Sequence, residues 1–534
     1  MDHATGHSLV EHILGVHGVS WTPETGFEIL FPSAIQPGLG IPLNTHSFSR
    51  LPGYVKPLAS RLSLEDLKFL EKKDALTIPP NDLRNRLIGS YVEFGYPFMP
   101  VVDLSEIHAI IHGQSKTGRL SLLLLQSIMF AGAATIDSRY LIAAGFSTKR
   151  DARRHFFNRA RLLFDLDAET DTVQLVQSLI LMTHWYEGPD YQKDSHHWMG
   201  VAASMLPLIE PRKDSTRSHP EQRLGQSLWK RIWWSAYMRD RLISLGMRRP
   251  VCINRDDYDV PALETDDFEI KPFPHPEHCA SDDFCLPLDT DKHYQLAKIC
   301  IALGSLCQCI GDILSTHYSI RRCGNYEQAS RADIQTRTLM VLQPKTSRIL
   351  SNETKACEDD LGNWKQRFAE DTYFAVPTRQ NHGRGDHSII CHKSLLYMLY
   401  LSAVSALHRP LLGLASHAQH EHNAVDLAKS QDIVRNSAAE VLATITILDE
   451  LDLIPFLPGV TLTAVIPALI VQLTGDQVQR EGNAGTRSSQ TLNRCLNVCQ
   501  QLRDTHVAAD FAIGILDAAV FNATLRNRSH WDGT

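Results

Sequence analysis

The chain has no cysteine before Cys252, although it runs to 534 residues and holds 11 in all. Two tetrahedral zinc ions sharing bridging thiolates need six cysteines within about 30 to 40 residues, and no such run exists. Only Cys307/Cys309 and Cys495/Cys499 lie close together, a scatter that suits reduced thiols in a reducing compartment. A basic excess is missing too. Lys and Arg number 53 against 60 Asp and Glu, for a formal charge of −7 and a pI near 6.4. That balance disfavours a module that grips DNA phosphates by itself. The opening, MDHATGHSLVEHILGVHG, lacks a basic stretch followed by an apolar one, so no secretory leader is expected. The apolar run from Leu120 to Ile136 is broken by Ser121, Gln126 and Ser127. It falls short of the ~20 residues that a membrane span takes, predicts a buried helix, and leaves no membrane partner expected. The sequons at Asn352, Asn522 and Asn527 therefore carry little weight.

Catalytic constellations are scarce as well. Gly113 to Gly118 has the glycine spacing of a phosphate loop, but Arg119-Leu120 follow where Lys and Ser or Thr are required, so a surface loop is expected. No Gly-x-Ser-x-Gly elbow occurs. His417, His420, Glu421 and His422 cluster without the His-Glu-x-x-His order and predict a solvated patch; His196-His197 is equally bland. Cys495 and Cys499 share a helix face and suit packing. No catalytic, cofactor-binding or metal residue is assigned, and the chain is not expected to be an enzyme.

Strand-like alternation, repeats of 20 to 50 residues and sustained heptads are also rare. What remains is helical spacing almost throughout. The fold class is therefore all-α: many helices built as a large irregular helical bundle. Residues 1–50, rich in Gly, Pro, His and Ser, predict a poorly ordered arm. Ser63 starts one helix and Asn81 or Asp82 caps the next, after which Pro97 and Pro100 predict an extended segment. Helices follow over 120–136, 148–168, 171–185 and 194–209, the second with its arginines, including Lys149-Arg150 and Arg153-Arg154, on a solvated face. Residues 271–291 form an acidic, Pro-rich connector, and helices resume from His293, over 361–368, 389–408, 424–451 and 461–473, and in two stretches after 491. Pro467 predicts a late start or a kink in its helix.

The densest stretch is 223–263. Leu224, Leu228, Ile232 and Ala236 make one apolar row, Trp229, Trp233 and Tyr237 a second, and Trp234, Met238 and Leu242 a third. A helix apolar on so many sides has to be wrapped by others. Its charges, Lys230, Arg231, Arg239, Asp240 and Arg241, then need partners or the rim. The acidic strip Asp256, Asp257 and Asp259 is the expected partner for the arginines. Gly246 weakens the helix end and Pro250 stops it.

Arg231, Trp233, Trp234, Asp240, Arg241, Gly246, Arg249, Pro250, Asp259 and Pro261 together resemble the signature of the fungal-specific transcription factor domain. This is the regulatory region downstream of binuclear zinc-cluster DNA-binding modules. Tyr96-Pro97-Phe98-Met99-Pro100 with Asp103 is similar to the turn near that domain's start, and His408-Arg409-Pro410 to the end of a later helix. Arg61, Leu70, Leu76 to Pro79 and Asp103 look closest to activators of cutinase and fatty-acid-utilisation genes. The signature residues are read as structural. The resemblance implies domain bounds: a first helical half over 51–270, the connector, and a second half over 292–534. It implies a nuclear transcriptional regulator of a catabolic or secondary-metabolite gene set. The zinc cluster is not in this sequence, so DNA is reached only indirectly, through a zinc-cluster partner or a module encoded upstream. Partners from the transcription machinery, a small-molecule effector and a homodimer are in keeping with it. The alternative is a helical ligand-sensing or co-regulator module with no DNA binding of its own.

Overall fold

The computed structural model describes residues 51–115, 118–188, 191–211, 220–268, 270–272, 289–323, 339–345, 351–369, 387–414, 422–479, 494, 497–510 and 513–514. The expected arm 1–50, most of the connector (273–288), the histidine group at 417–421, Cys495 and most of the last expected helix lie outside the described residues.

Local chemistry sets the helix starts. Helix α1 (Leu64–Lys72) opens on a reciprocal cap, in which Asp66 N donates to Ser63 Oγ at 3.1 Å and Ser63 N to the Asp66 carboxylate at 3.0 Å. Helix α2 (Asn81–Ser90) follows Pro80, so Asn81 is its first helical residue rather than its cap. It passes into a π-helical turn, Tyr91–Gly95, and then a tight turn closed by Met99 N on Gly95 O at 2.9 Å. The backbone is extended only after this turn, later than Pro97 alone predicts, because Pro97 sits inside the turn. Helices α3 (Leu104–Ile111), α4 (Leu122–Gly132), α5 (Ser138–Ala143), α6 (Lys149–Asp165), α7 (Thr172–Met182) and α8 (Ser195–Met205) are capped by Asp103, Ser121, Asp137, Thr148, Asp171 and Asp194.

Helix α4 is buried nearly all round and packs on α2, α6 and α7. A Cβ on Gly132 would fall 2.8 Å from the carbonyl carbon of Leu87, so α2 and α4 touch backbone to backbone and only glycine fits. The basic run of α6 is not a solvated face. Lys149, Arg153 and Arg159 are buried. Lys149 donates to Ala134 O at 3.3 Å and Pro455 O at 3.2 Å, Arg153 to Thr505 O at 2.7 Å and His184 O at 2.8 Å, and Arg159 to Thr77 O at 3.0 Å. Long cationic side chains reach carbonyls that helices cannot pair, a use that helical spacing does not reveal.

Helix α9 (Pro220–Met247) adjoins α7 and α8 on one side and α10 (Thr290–His317) and α14 (Thr461–Gln479) on the other. Between them lie α11 (Ser351–Ala369), α12 (His387–Leu414) and α13 (His422–Glu450), with α12 against α13 and α13 against α14. One buried apolar cluster runs from Val55 to Ala509. Helices α10 and α12 are long and apolar enough to cross a membrane, but their apolar windows are 56% and 78% buried against other parts of the fold.

Three details refine the sequence reading. Helix α12 does not end at His408; it continues through Pro410 to Leu414. Pro410 has no amide to give the Ala406 carbonyl one turn back, and Tyr318 Oη donates to that carbonyl at 2.7 Å instead. Helix α14 starts at Thr461, not late, with Pro467 inside it. Finally, α10 runs directly into a two-stranded antiparallel hairpin, β1 (Tyr318–Cys323) and β2 (Leu339–Pro344). Ile320, Arg321 and Arg322 are consecutively exposed while Val341 and Leu342 are consecutively buried, so neither strand alternates and period two was not visible.

Candidate functional site

The site is the buried half of α9 together with its exit. Every residue from 231 to 244 is buried, including the charged Arg231, Arg239, Asp240 and Arg241. Trp233 and Trp234 are 2% and 4% exposed. The Trp233 ring stacks on Tyr237 at 5.3 Å and meets Trp234 edge-on at 5.2 Å. Trp234 Nε1 donates to Pro261 O at 2.8 Å, which fastens the exit strip back onto the helix.

Each buried charge has backbone within reach. Arg231, 1% exposed, donates Nε to Pro100 O at 3.2 Å, Nη2 to Val102 O at 3.2 Å and Nη1 to Asp267 O. Lys230 beside it meets the Asp267 carboxylate at 2.6 Å. Arg239 donates to Thr183 Oγ1 at 2.9 Å and Thr183 O at 2.7 Å, at the C-cap of α7. Burial, with Arg153 nearby, lowers the Arg239 pKa to about 9. Asp240 accepts from Cys252 N at 2.9 Å, Ile253 N at 3.1 Å and Arg241 Nη1 at 2.6 Å. Burial raises the Asp240 pKa, while Arg241 and the two amides pull it the other way. Arg241 also donates to Ile253 O at 2.9 Å and lies over the Tyr237 ring at 4.2 Å.

The exit repeats the pattern. Arg248 takes a positive φ of 52° and its carbonyl accepts from Leu342 N at 2.7 Å, tying the hairpin to the helix end. Arg249 pairs with Asp194, the cap of α8, at 2.6 Å. His196 Nε2 donates to Pro250 O at 2.9 Å and lies 3.4 Å from Cys252 Sγ. A Cβ on Gly246 would sit 2.9 Å from Thr463 Cγ2, so glycine lets α14 approach. Asp256, Asp257 and Asp259 are exposed, and Pro261 contributes through its carbonyl alone. The acidic strip is therefore not what Arg231, Arg239 and Arg241 bind. A short 3-10 turn, Arg255–Asp257, carries its carboxylates outward, and the guanidiniums hold carbonyls and Asp240.

Two motifs far apart in sequence thus meet. Arg231 of the 231–261 stretch holds the carbonyls of Pro100 and Val102 in the Tyr96–Asp103 turn. Among the described residues no group of three or more His, Cys, Asp or Glu converges as a metal site would. Burial pushes the Cys252 and Cys300 thiols up to about 12 and those of Cys309, Cys357 and Cys499 to about 11, which makes them poor nucleophiles. Chemically, this site grips backbone.

The family described as fungal specific transcription factor domain matches residues 88–366, a span that contains the whole of this site. The chain belongs to that family. It is 36% identical over 491 residues to cutinase transcription factor 1 beta of Fusarium vanettenii, covering 90% of this chain and 54% of the relative. It is 30% identical over 406 residues to transcription factor cpaR of Aspergillus oryzae, covering 74% and 64%. To an acetamidase regulatory protein of Aspergillus fumigatus it is 31% identical over 37% of the chain and 25% of the relative. The chain spans a little over half the length of the first of these. No solved structure matches. Within the family signature, the links between Lys230 and Asp267, Arg239 and Thr183, and Arg249 and Asp194 escaped the sequence reading. Asp194 reads as the first residue of its helix, but nothing in its spacing announces a partner 55 residues away.

Proposed function

We propose that this chain is the regulatory region of a zinc-cluster-type fungal transcription factor controlling a catabolic or secondary-metabolite gene set in the nucleus. DNA is reached through a partner protein or through a module outside this sequence, and the remaining partners belong to the transcription machinery. The observation that supports this best is the family match across 88–366 together with the relatives named as transcription factors. The geometry agrees in kind, since a scaffold whose buried charges hold backbone segments in register suits relay between surfaces better than turnover. The experiment is to fuse the chain to a heterologous DNA-binding module in fungal cells carrying a matching reporter. Raised or lowered reporter output is expected, and it should vanish with Arg231→Met. Unchanged output from a stably expressed, nuclear fusion would overturn the reading.

A further inference from the structure

We propose that the outer edge of β1 is a docking edge, where an extended acidic and apolar segment of a partner protein adds as a third strand. The hairpin has an inside and an outside. On β2, the adjacent residues Val341 and Leu342 are both buried, although adjacent residues in a strand face opposite sides. On β1, Ile320 is 54% exposed and Arg321 and Arg322 are exposed with it. Strand β2 is therefore the inner strand and β1 the outer. The sheet has two strands, and among the described residues no backbone ladder bond reaches the outer side of β1. Edges of this kind recruit extended segments, main chain to main chain.

The partner's chemistry follows from the side chains. Arg321 and Arg322 make no ion pair among the described residues, and Ile320 lies diagonally across from Met340, 41% exposed, on one face. The chain carries a net −7, so this short basic edge stands out in sign and draws acidic segments in particular. A second copy is a poor occupant, because pairing β1 with itself gathers the four arginines of two edges at one narrow seam, like charge near like. The platform is also fixed at its root. Tyr318 Oη holds Ala406 O at 2.7 Å, Lys345 N holds His317 O at 2.9 Å, and Leu342 N holds Arg248 O at 2.7 Å. The last bond runs from the inner strand β2, which carries the docking edge, to the end of the signature helix.

The test uses the full chain and two fluorescein-labelled peptides, one alternating glutamate with valine and one alternating lysine with valine. Anisotropy titrations should show the acidic peptide bound at least about tenfold more tightly, with the gap closing as salt rises. Arg321→Glu/Arg322→Glu should reverse the order, and amide exchange at Ile320 and Arg322, which face away from β2, should slow on peptide binding. If the reversed variant does not fold, Arg321→Gln/Arg322→Gln should abolish the preference. Equal affinities for the two peptides, an order unchanged by reversal, or amides already protected by self-association of the free chain would each overturn the proposal.

Discussion

Arg231 shows a buried charge used to hold backbone. Its three donors go to carbonyls of two separate segments, around Pro100 and around Asp267. Removing it strands those acceptors in the core, where each unsatisfied group costs about 1 to 3 kcal/mol. Arg231→Met is accordingly expected to destabilise the fold by about 3 to 5 kcal/mol, read as a lower urea midpoint. Asp256→Asn and Asp259→Asn, both at exposed positions, should stay within about 0.5 kcal/mol of the parent. A marked loss in either aspartate variant, or none in Arg231→Met, would contradict the carbonyl-holding role. The sequence made the need for partners legible, because a helix with three apolar rows leaves no room for free charge. It could not name them, since a carbonyl is present at every residue and has no letter.

At the scale of elements, helix positions were readable from apolar spacing and one start from Ser63, whereas the cap expected at Asn81 or Asp82 is the position of Pro80. Close approach and rescue were not readable. Gly246 does lie at the helix end, one residue before Met247, and it also lets α14 come close. Gly246→Ala should cost about 1 to 3 kcal/mol by overpacking, and Thr463→Ala in the same chain should recover much of it. Strict additivity of the two changes in thermal midpoints would refute the contact. Pro410 misled, because the amide it removes is replaced by a hydroxyl from β1, about 90 positions away by chain. Tyr318→Phe should therefore cost about 1 to 2 kcal/mol, and less in a Pro410→Ala background, where the helix can close its own bond. A Tyr318→Phe cost that is the same in both backgrounds would mean the hydroxyl is not substituting for the missing amide.

For the whole molecule, acid sensitivity is the clearest expectation. His293, His317 and His392 are lowered to about 4 and His506 to about 3, burial being the leading cause in each. The folded value lies below the unfolded 6.5, so the unfolded chain takes up protons first as pH falls. The stability these histidines lend is full above about pH 6.5 and is lost progressively towards about 4, each shift of two units amounting to about 3 kcal/mol. Asp240, Glu106 and Asp312, raised by burial, oppose the trend in part. Thermal midpoints should drop between pH 6.5 and 4.5, and His506→Gln should make the drop shallower. A flat profile across that window would be incompatible with neutral, buried imidazoles.

The way α9 holds its neighbours also bears on how such a chain can diverge. Arg231, Asp240, Arg241 and Trp234 fasten Pro100, Val102, Cys252, Ile253 and Pro261 by amide and carbonyl groups, which every substitution short of a backbone change preserves. Drift is thus asymmetric: the holders are pinned, while a held position whose side chain faces solvent, such as Pro261, can trade it freely. A saturation scan should find few tolerated letters at Arg231 and Asp240 and many at the exposed Pro261. One inherited frame could in this way carry surfaces of quite different composition from one descendant to the next.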